Sequence, residues 1–325
     1  MAQDYCRLMT AIGGYFELAD YEEGIFPHQE GVLLNTGRNA LEYILRCIGN
    51  VKRIYLPYYT CEVVLEPLRR LHIPWTFYHI NISFEIADEI CPGEGEYIIA
   101  NNYFGIKDEY IQSLAEKYSD RLIVDCAQAL FAKPIPGIKC FYSTRKYVGV
   151  ADGGVAYLGH LSDEGLQISD TEHTECHDSH LIKRKQFGAE AGFAEYQENE
   201  VKLNDQPIRW MSDATKTILG HIDYDKVIAK RRKNFRILSE ALSDRNLLAL
   251  PDLETFVCPM VYPFYDGKDY RHHLIRNKVY IARYWPNVTD FALFSDECSL
   301  ADKLTPLPID QRYSKSEMTY IVSLL

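Results

Sequence analysis

The sequence predicts an α/β fold. A large domain, residues 1–215, is expected to carry a mostly parallel central sheet flanked by helices, with a small C-terminal α+β domain, residues 216–325, behind it. Three observations predict this. Short apolar runs alternate with helical stretches through the first half of the chain. The last third mixes strand-like and helical runs without that regular alternation. A chain of 325 residues is also long enough for a large core and two lobes.

The elements follow in order. After an irregular aromatic start, "GVLLNTGRNALEYILRCIG" reads strand, tight turn, helix, with Ala40, Leu41, Ile44, Leu45 and Ile48 on one helical face. Strand-like runs come next at "RIYLPYY", "WTFYHI", "EYIIANNYF", "RLIVDCA" and "KCFYS". Between them, "TCEVVLEPLRRL" reads as a helix bent at Pro67, and "DEYIQSLAEKYS" as a helix with Asp108 as its N-cap. Residues 160–205 read as a polar, irregular excursion. A long helix is predicted from Asp223 to Leu242, with Val227, Ile228, Phe235, Leu238 and Leu242 as its apolar stripe. The C-terminal third offers strands in "FVCPMVYPFY" and "VYIARYW" and helices in "DYRHHLIRN" and "SKSEMTYIVSLL". There are no internal repeats and no low-complexity tract.

Composition narrows the function classes. Hydrophobic residues make up 47% and charged residues 25%, as in an ordinary globular protein. A net charge of −11 argues against nucleic acid as a general partner. The nine cysteines are scattered, form no C-x-x-C pair and are odd in number, which fits a reduced, cytoplasmic chain rather than a disulfide scaffold. The first residues lack a basic stretch followed by an apolar one, so no secretory signal is expected. No apolar run approaches the ~20 residues of a membrane span.

Several short stretches could carry chemistry, and each also has a plain structural reading. Thr36-Gly37-Arg38 opens a helix, where free N–H groups and the helix dipole suit a phosphate; it would equally serve as an ordinary strand-to-helix turn. Asp125 ends the apolar run "LIVDC", where open α/β sheets carry ligands. A carboxylate there needs a partner, such as the cationic ring nitrogen of a cofactor, unless it merely caps a turn. Gln128, three residues on, could offer its amide to the same ligand. Lys146 sits between a strand-like run and a glycine pair in "CFYSTRKYVGVADGG": either a loop lysine facing water or an amine kept for covalent chemistry. The cluster His173, Cys176, His177, His180 lacks a second Cys/His group at finger-like distance and reads as a solvated polar segment. "KRRK" at 230–233 reads as a solvated helix face, and His272 and His273 as a surface pair. No dinucleotide-binding, P-loop or nucleophile-elbow glycine motif appears.

In order along the chain, these stretches resemble the sugar aminotransferases of the DegT/DnrJ/EryC1/StrS family, enzymes of the fold-type-I pyridoxal-phosphate class. The phosphate turn of that family is like Thr36-Gly37-Arg38-Asn39-Ala40-Leu41. Its proline-containing aromatic segment is like "LPYYTCEVV", and its Asn-x-x-Gly strand end is like Asn102-Tyr103-Phe104-Gly105. Its Asp-x-Ala-Gln-Ala signature is matched by Asp125-Cys126-Ala127-Gln128-Ala129. Its Schiff-base lysine followed by Gly-Gly is like Lys146 with Asp152-Gly153-Gly154. "LIRNKVYIARYWP" and "LPIDQRYS" look similar to the family's small domain. The chain differs at the third turn position, where it has Arg38. Cys61 stands where an aromatic is usual, and Phe141 where the phosphate serine is usual, with Ser143 two residues on.

The resemblance implies a homodimeric enzyme that uses pyridoxal 5'-phosphate to move an amino group from an amino acid, such as glutamate, to a keto sugar, expected to be nucleotide-linked, in polysaccharide or secondary-metabolite synthesis. Lys146 would be the Schiff-base lysine and proton shuttle, and Asp125 would keep the ring nitrogen protonated. Gln128 would sit by the ring hydroxyl. Thr36, Gly37, Arg38 and Ser143 would hold the phosphate, Tyr58 or Tyr59 would stack on the ring, and Asn102 would line the site. Two alternatives stay open at this point. One is another pyridoxal-phosphate reaction on the same scaffold, a dehydratase or a non-sugar transaminase. The other is a non-catalytic relative that binds cofactor or sugar as a regulator.

Overall fold

The computed structural model describes residues 11–163, 168–169, 172–290 and 295–325. In chain order the strands are β1 (Ile12–Gly13), β2 (Val32–Leu34), β3 (Arg53–Pro57), β4 (Trp75–Tyr78), β5 (Glu96–Asn101), β6 (Leu122–Cys126), β7 (Lys139–Ser143), β8 (Gly154–Leu158), β9 (Val261–Phe264), β10 (Val279–Tyr280) and β11 (Thr305–Pro308). The helices that matter below are α1 (Gly37–Ile48), α2 (Leu65–Arg70), α3 (Asp108–Tyr118), α4 (Ser179–Phe187), α5 (Phe193–Lys202), α6 (Asp213–Leu219) and α7 (Tyr224–Leu242).

Seven strands form one sheet in the order β2-β8-β7-β6-β5-β3-β4. The block β7-β6-β5-β3-β4 is parallel throughout, while β8 runs antiparallel to both β7 and β2. The expected mostly parallel sheet is therefore present. Its strands are apolar on both faces because both faces are covered. On one side Ile99, Ile123 and Phe141 pack with Leu41, Ile44 and Leu45 of α1 and Leu68 of α2. On the other, Ile98, Val124 and Cys140 join a cluster that includes Ile111 and Leu114 of α3, Phe235 and Leu238 of α7, and Tyr262 and Leu307 of the C-terminal strand pair β9–β11.

Some local expectations need correction. Asp108 does not cap α3 but is its first residue. Its carboxylate accepts instead from Asn102 Nδ2 at 2.6 Å and from the Val257 N–H at 2.9 Å, tying β5's exit to the C-terminal part. Pro67 does not bend its helix. It lies in the first turn of α2, where its missing N–H is harmless, and the break falls before Leu65, between α2 and a short 3₁₀ turn, Glu62–Val64. The stretch 160–205 is not wholly irregular, since α4 and α5 lie in it; their apolar periodicity is weak because only a few positions, such as Leu181 and Asn199, face inward. The run "KRRK" is not a solvated face. Arg231 is 1% exposed, and Arg232 Nη1 donates to the Leu253 and Phe256 carbonyls at 2.8 Å.

The other plain readings divide. His272 and His273 are exposed. The segment His173–His180 is not solvated throughout, because His180 is buried in α4 between the rings of Tyr15 and Tyr196; among the described residues no group of His, Cys, Asp and Glu side chains converges on a metal-sized site. The described cysteines are all free thiols; Cys6 lies outside the described residues. Among the described residues no helix is long and apolar enough to cross a membrane.

Candidate active site

The floor of the site is set by strand register. Asn101 of β5 lies beside Asp125 of β6, and Asp125 beside Phe141 of β7. Residues in register on neighbouring strands project to the same face. All three line one cavity of about 180 Å³ at the carboxyl ends of the parallel strands.

The wall at one end is the start of α1. Thr36 is its N-cap: Thr36 Oγ1 accepts from the Asn39 N–H at 3.1 Å and donates to Asn39 Oδ1 at 2.6 Å. That leaves the Gly37 and Arg38 N–H groups in the first turn, where no helical carbonyl can reach them. Thr36, Gly37, Arg38 and Ser143 all line the cavity. The glycine pair after Lys146 makes this closeness possible. A Cβ on Gly154 would lie 2.2 Å from the Thr36 carbonyl, and Gly153 has φ +123° with Thr144 Oγ1 2.3 Å from where its Cβ would be. Gly-Gly thus lets β8 pass directly beneath the α1 turn. Asp152, just before it, is a structural residue: it accepts from the Ser212 N–H and Oγ at 2.8 and 2.6 Å, and from Thr215 Oγ1.

Lys146 ends the 3₁₀ turn Thr144–Lys146 and is half-buried against the cavity. Its backbone is clamped through its neighbour. Tyr147 is fully buried, its OH donates to the Gln128 carbonyl at 2.6 Å, and its own carbonyl accepts from Gln311 Nε2 at 2.8 Å and Arg231 Nη2 at 3.3 Å. Asp125 sits under strong opposing influences. Burial pushes its carboxyl up, the Lys146 ammonium and the Ala127 N–H, which donates to Oδ1 at 2.8 Å, pull it down, and burial wins.

Three polar side chains of the cavity lining each keep a buried atom with no partner among the described residues. Gln128 Oε1 accepts from the Phe104 N–H at 3.1 Å, but Nε2 is unpartnered. Asn101 Nδ2 donates to Thr60 Oγ1 at 3.0 Å, but Oδ1 is unpartnered. Arg145 Nη2 is ion-paired with Glu200 of α5, but Nε is unpartnered. A buried donor or acceptor left open is costly, about 1–3 kcal/mol each, and three of them around one cavity suit a polar ligand there.

The structure therefore gathers Thr36, Gly37, Arg38, Asn102, Asp125, Gln128, Ser143 and Lys146 around one space. It does not bring Tyr58 or Tyr59 there. Tyr58 stacks on Phe77 at 4.9 Å, and Tyr59 is fully buried, edge-on to Trp285 at 4.6 Å. The turn after β3 directs Cys61, Val63 and Val64 to the cavity instead. Two further placements qualify the expectation. The Asn102 amide is taken up by Asp108 and the Lys107 N–H, and Arg38 Nη1 is held by Glu66 at 2.8 Å and Asn204 at 2.6 Å. Sequence reasoning missed Asn101, Glu200 and Trp285, while Cys61, noted as standing where an aromatic is usual, does line the cavity. Asn101 was readable, being the last residue of an apolar run; nothing in the sequence around Glu200 or Trp285 pointed to the site.

No protein-family model matches the sequence, and no curated protein does. Solved structures do match the architecture. One is the sugar aminotransferase CalS13 from Micromonospora echinospora, with TM-score 0.61, 15% identity, 92% of this chain and 87% of that one. Another is DesI in the presence of its TDP-sugar product, with TM-score 0.59, 14% identity, 93% of this chain and 81% of that one. A third is a DegT DnrJ EryC1 StrS aminotransferase from Brucella abortus, with TM-score 0.55, 14% identity, 92% of this chain and 86% of that one. The chain has the fold of the sugar aminotransferases. The similarity covers nearly the whole chain.

Proposed function

We propose that the protein is a pyridoxal-phosphate-dependent aminotransferase that takes an amino group from an amino acid, glutamate in the first instance, and delivers it to a nucleotide-linked keto sugar. The observation that carries this reading is the cavity itself. An amine, a buried carboxyl, an unpartnered amide donor and a helix N-terminus face one space at the strand ends. DesI, of the same fold, was crystallised with a TDP-sugar product.

The residues present fit this cofactor. The Gly37 and Arg38 N–H groups with Ser143 suit its phosphate, Gln128 Nε2 lacks only an acceptor such as the ring hydroxyl, and Asp125 suits a protonated ring nitrogen. Pyridoxal phosphate supplies an aldehyde for an amine and a ring that takes up electron density from the substrate carbon. The protein supplies the rest. Asp125 would hold a proton on the cofactor's ring nitrogen, since a buried carboxylate is far better satisfied by a cation than left alone. Lys146 Nζ would hold the cofactor through its aldehyde and, as a free amine, would move the proton at the substrate carbon. The Tyr147 clamp fixes the backbone from which Lys146 reaches the cavity. The chain would divide near residue 215, as the change in its pattern of elements suggests, lie in the cytoplasm, as its scattered thiols suggest, and assemble as a homodimer, as the resemblance implies.

The test is the visible absorption of purified protein with pyridoxal phosphate, before and after L-glutamate. A bound-cofactor band that Lys146→Ala abolishes, and that glutamate converts to the pyridoxamine spectrum, is the expected result. No band in the wild type would overturn the reading. A stable band indifferent to every amino acid would instead favour a binding role.

A further inference from the structure

We infer that Arg145 receives the carboxylate of the amino donor and that Glu200 is its placeholder, an ion-pair partner that the incoming carboxylate displaces. This rests on the aminotransferase reading and goes beyond it to the donor's docking group. Arg145 immediately precedes Lys146 in the same 3₁₀ turn, and both side chains line the cavity. An anion on Arg145 would therefore sit beside the amine that does the chemistry.

The guanidinium is incompletely satisfied. Its Nη2 is taken by Glu200, while Nε is buried and unpartnered among the described residues. An arginine presents its donors as a fork that fits a carboxylate with two parallel bonds, and one bond to one glutamate leaves that fork part-used. The groups around it do not complete it. Asp152 is occupied by Ser212 and Thr215, and His180 and Tyr196 feel Arg145 only through its charge.

Glu200 is suited to yielding. Its side chain is 40% exposed against 18% for Arg145, so it can swing to water while the arginine stays. Its helix stays too, because Asn199, 2% exposed, donates from Nδ2 to the Ala151 carbonyl at 3.0 Å and pins α5 to the Lys146 loop. The other cation of the wall is already held: Arg38 is bound by Glu66 and Asn204 beside the α1 turn. A carboxylate entering beside Lys146 has Arg145 as its partner. The placeholder also keeps the arginine from holding stray anions between turnovers, because any anion must outcompete a tethered carboxylate.

The experiment uses holoenzyme and α-methyl-L-glutamate, a donor analogue with no proton to lose, read as the change it makes in the cofactor's absorption. Cofactor affinity is measured first, before any analogue is added, so failure of the cofactor reading is seen separately. Arg145→Gln is expected to weaken analogue binding about tenfold or more while cofactor affinity stays within about twofold, the size of one lost charge-assisted contact. Glu200→Gln is expected to tighten the analogue about threefold or more, and Arg145→Lys to recover part of the loss. Analogue binding unchanged in Arg145→Gln would overturn the inference. So would Arg145→Gln weakening cofactor affinity well beyond twofold while its remaining holoenzyme binds the analogue as tightly as wild type, which would give Arg145 to the cofactor's phosphate, or Glu200→Gln binding the analogue more weakly.

Discussion

Two arginines show how this protein treats charge in two places. Arg312 donates from Nε and Nη2 to both carboxylate oxygens of Asp310, at 2.7 and 3.0 Å, and from Nη1 to Glu17 at 2.7 Å and the Tyr15 carbonyl at 3.2 Å. Every nitrogen of its fork has a partner. Arg145, in the cavity, has one ion pair and an open Nε. The same contrast holds for carboxylates. Asp310 ends below the ordinary range because, although burial pushes it up, Arg312 more than compensates; Asp125 ends above it because burial outweighs Lys146. The Arg312 pair ties distant parts of the chain together, whereas the open groups of Arg145, Gln128 and Asn101 share one cavity that a polar ligand could enter.

That comparison can be broken in several ways, beginning with the largest effect. Lys146→Ala should remove the bound-cofactor band and all transamination while leaving the melting temperature nearly unchanged; retained turnover would return Lys146 to a structural role. Asp125→Asn should fold normally and lose turnover on the order of 10³-fold. Near-normal rates would show that the ring proton is held elsewhere. Asp310→Ala should do the reverse, destabilising the protein by about 3–5 kcal/mol because it strands a buried guanidinium, with little change in the band of whatever remains folded. Chemical denaturation measures the first and absorption the second.

The pH dependence sharpens the contrast, since the two regions should slope in opposite directions. For Asp310 the folded-state value is depressed, so its contribution is present above the unfolded-state value and is lost as pH falls below about 4. For Asp125 the folded-state value is raised, so stability without cofactor should fall as pH climbs from about 4 toward that raised value. Melting temperature against pH should lose the first slope in Asp310→Asn and the second in Asp125→Asn. The smallest effect expected is that of Arg38→Ala, a few-fold weaker cofactor retention by equilibrium dialysis, because Glu66 and Asn204 already occupy part of its guanidinium.

Much of the framework was legible in the sequence. The apolar runs at 53–57, 75–78, 96–101, 122–126 and 139–143 became parallel strands because burial on both faces requires residues that are apolar throughout. The residues closing those runs, and the turn before α1, fell at the cavity because strand ends and helix starts are where backbone and side chain can leave the core. Local pattern made Asp125, Gln128, Lys146 and the 36–38 turn candidates, the resemblance to the aminotransferase family joined them, and the structure places them around one space.

The aromatic wall was not legible. Tyr58 and Tyr59 are neighbours of the site in sequence, yet the turn after β3 sends one toward Phe77 and the other into the core, and Cys61 faces the cavity instead. Side-chain direction in a turn depends on backbone angles that a list of residue types does not specify. Trp285 and Glu200 reach the same cavity from 139 and 54 positions beyond Lys146. They arrive there only because the C-terminal strands and α5 pack against the sheet. The sequence by itself determined the sheet, its strand ends and the chemistry that could stand on them, because these follow from burial over a few residues at a time. Only the tertiary structure decided which distant side chains close the cavity and which polar atoms it leaves open, because those depend on contacts between segments with no local signal for one another.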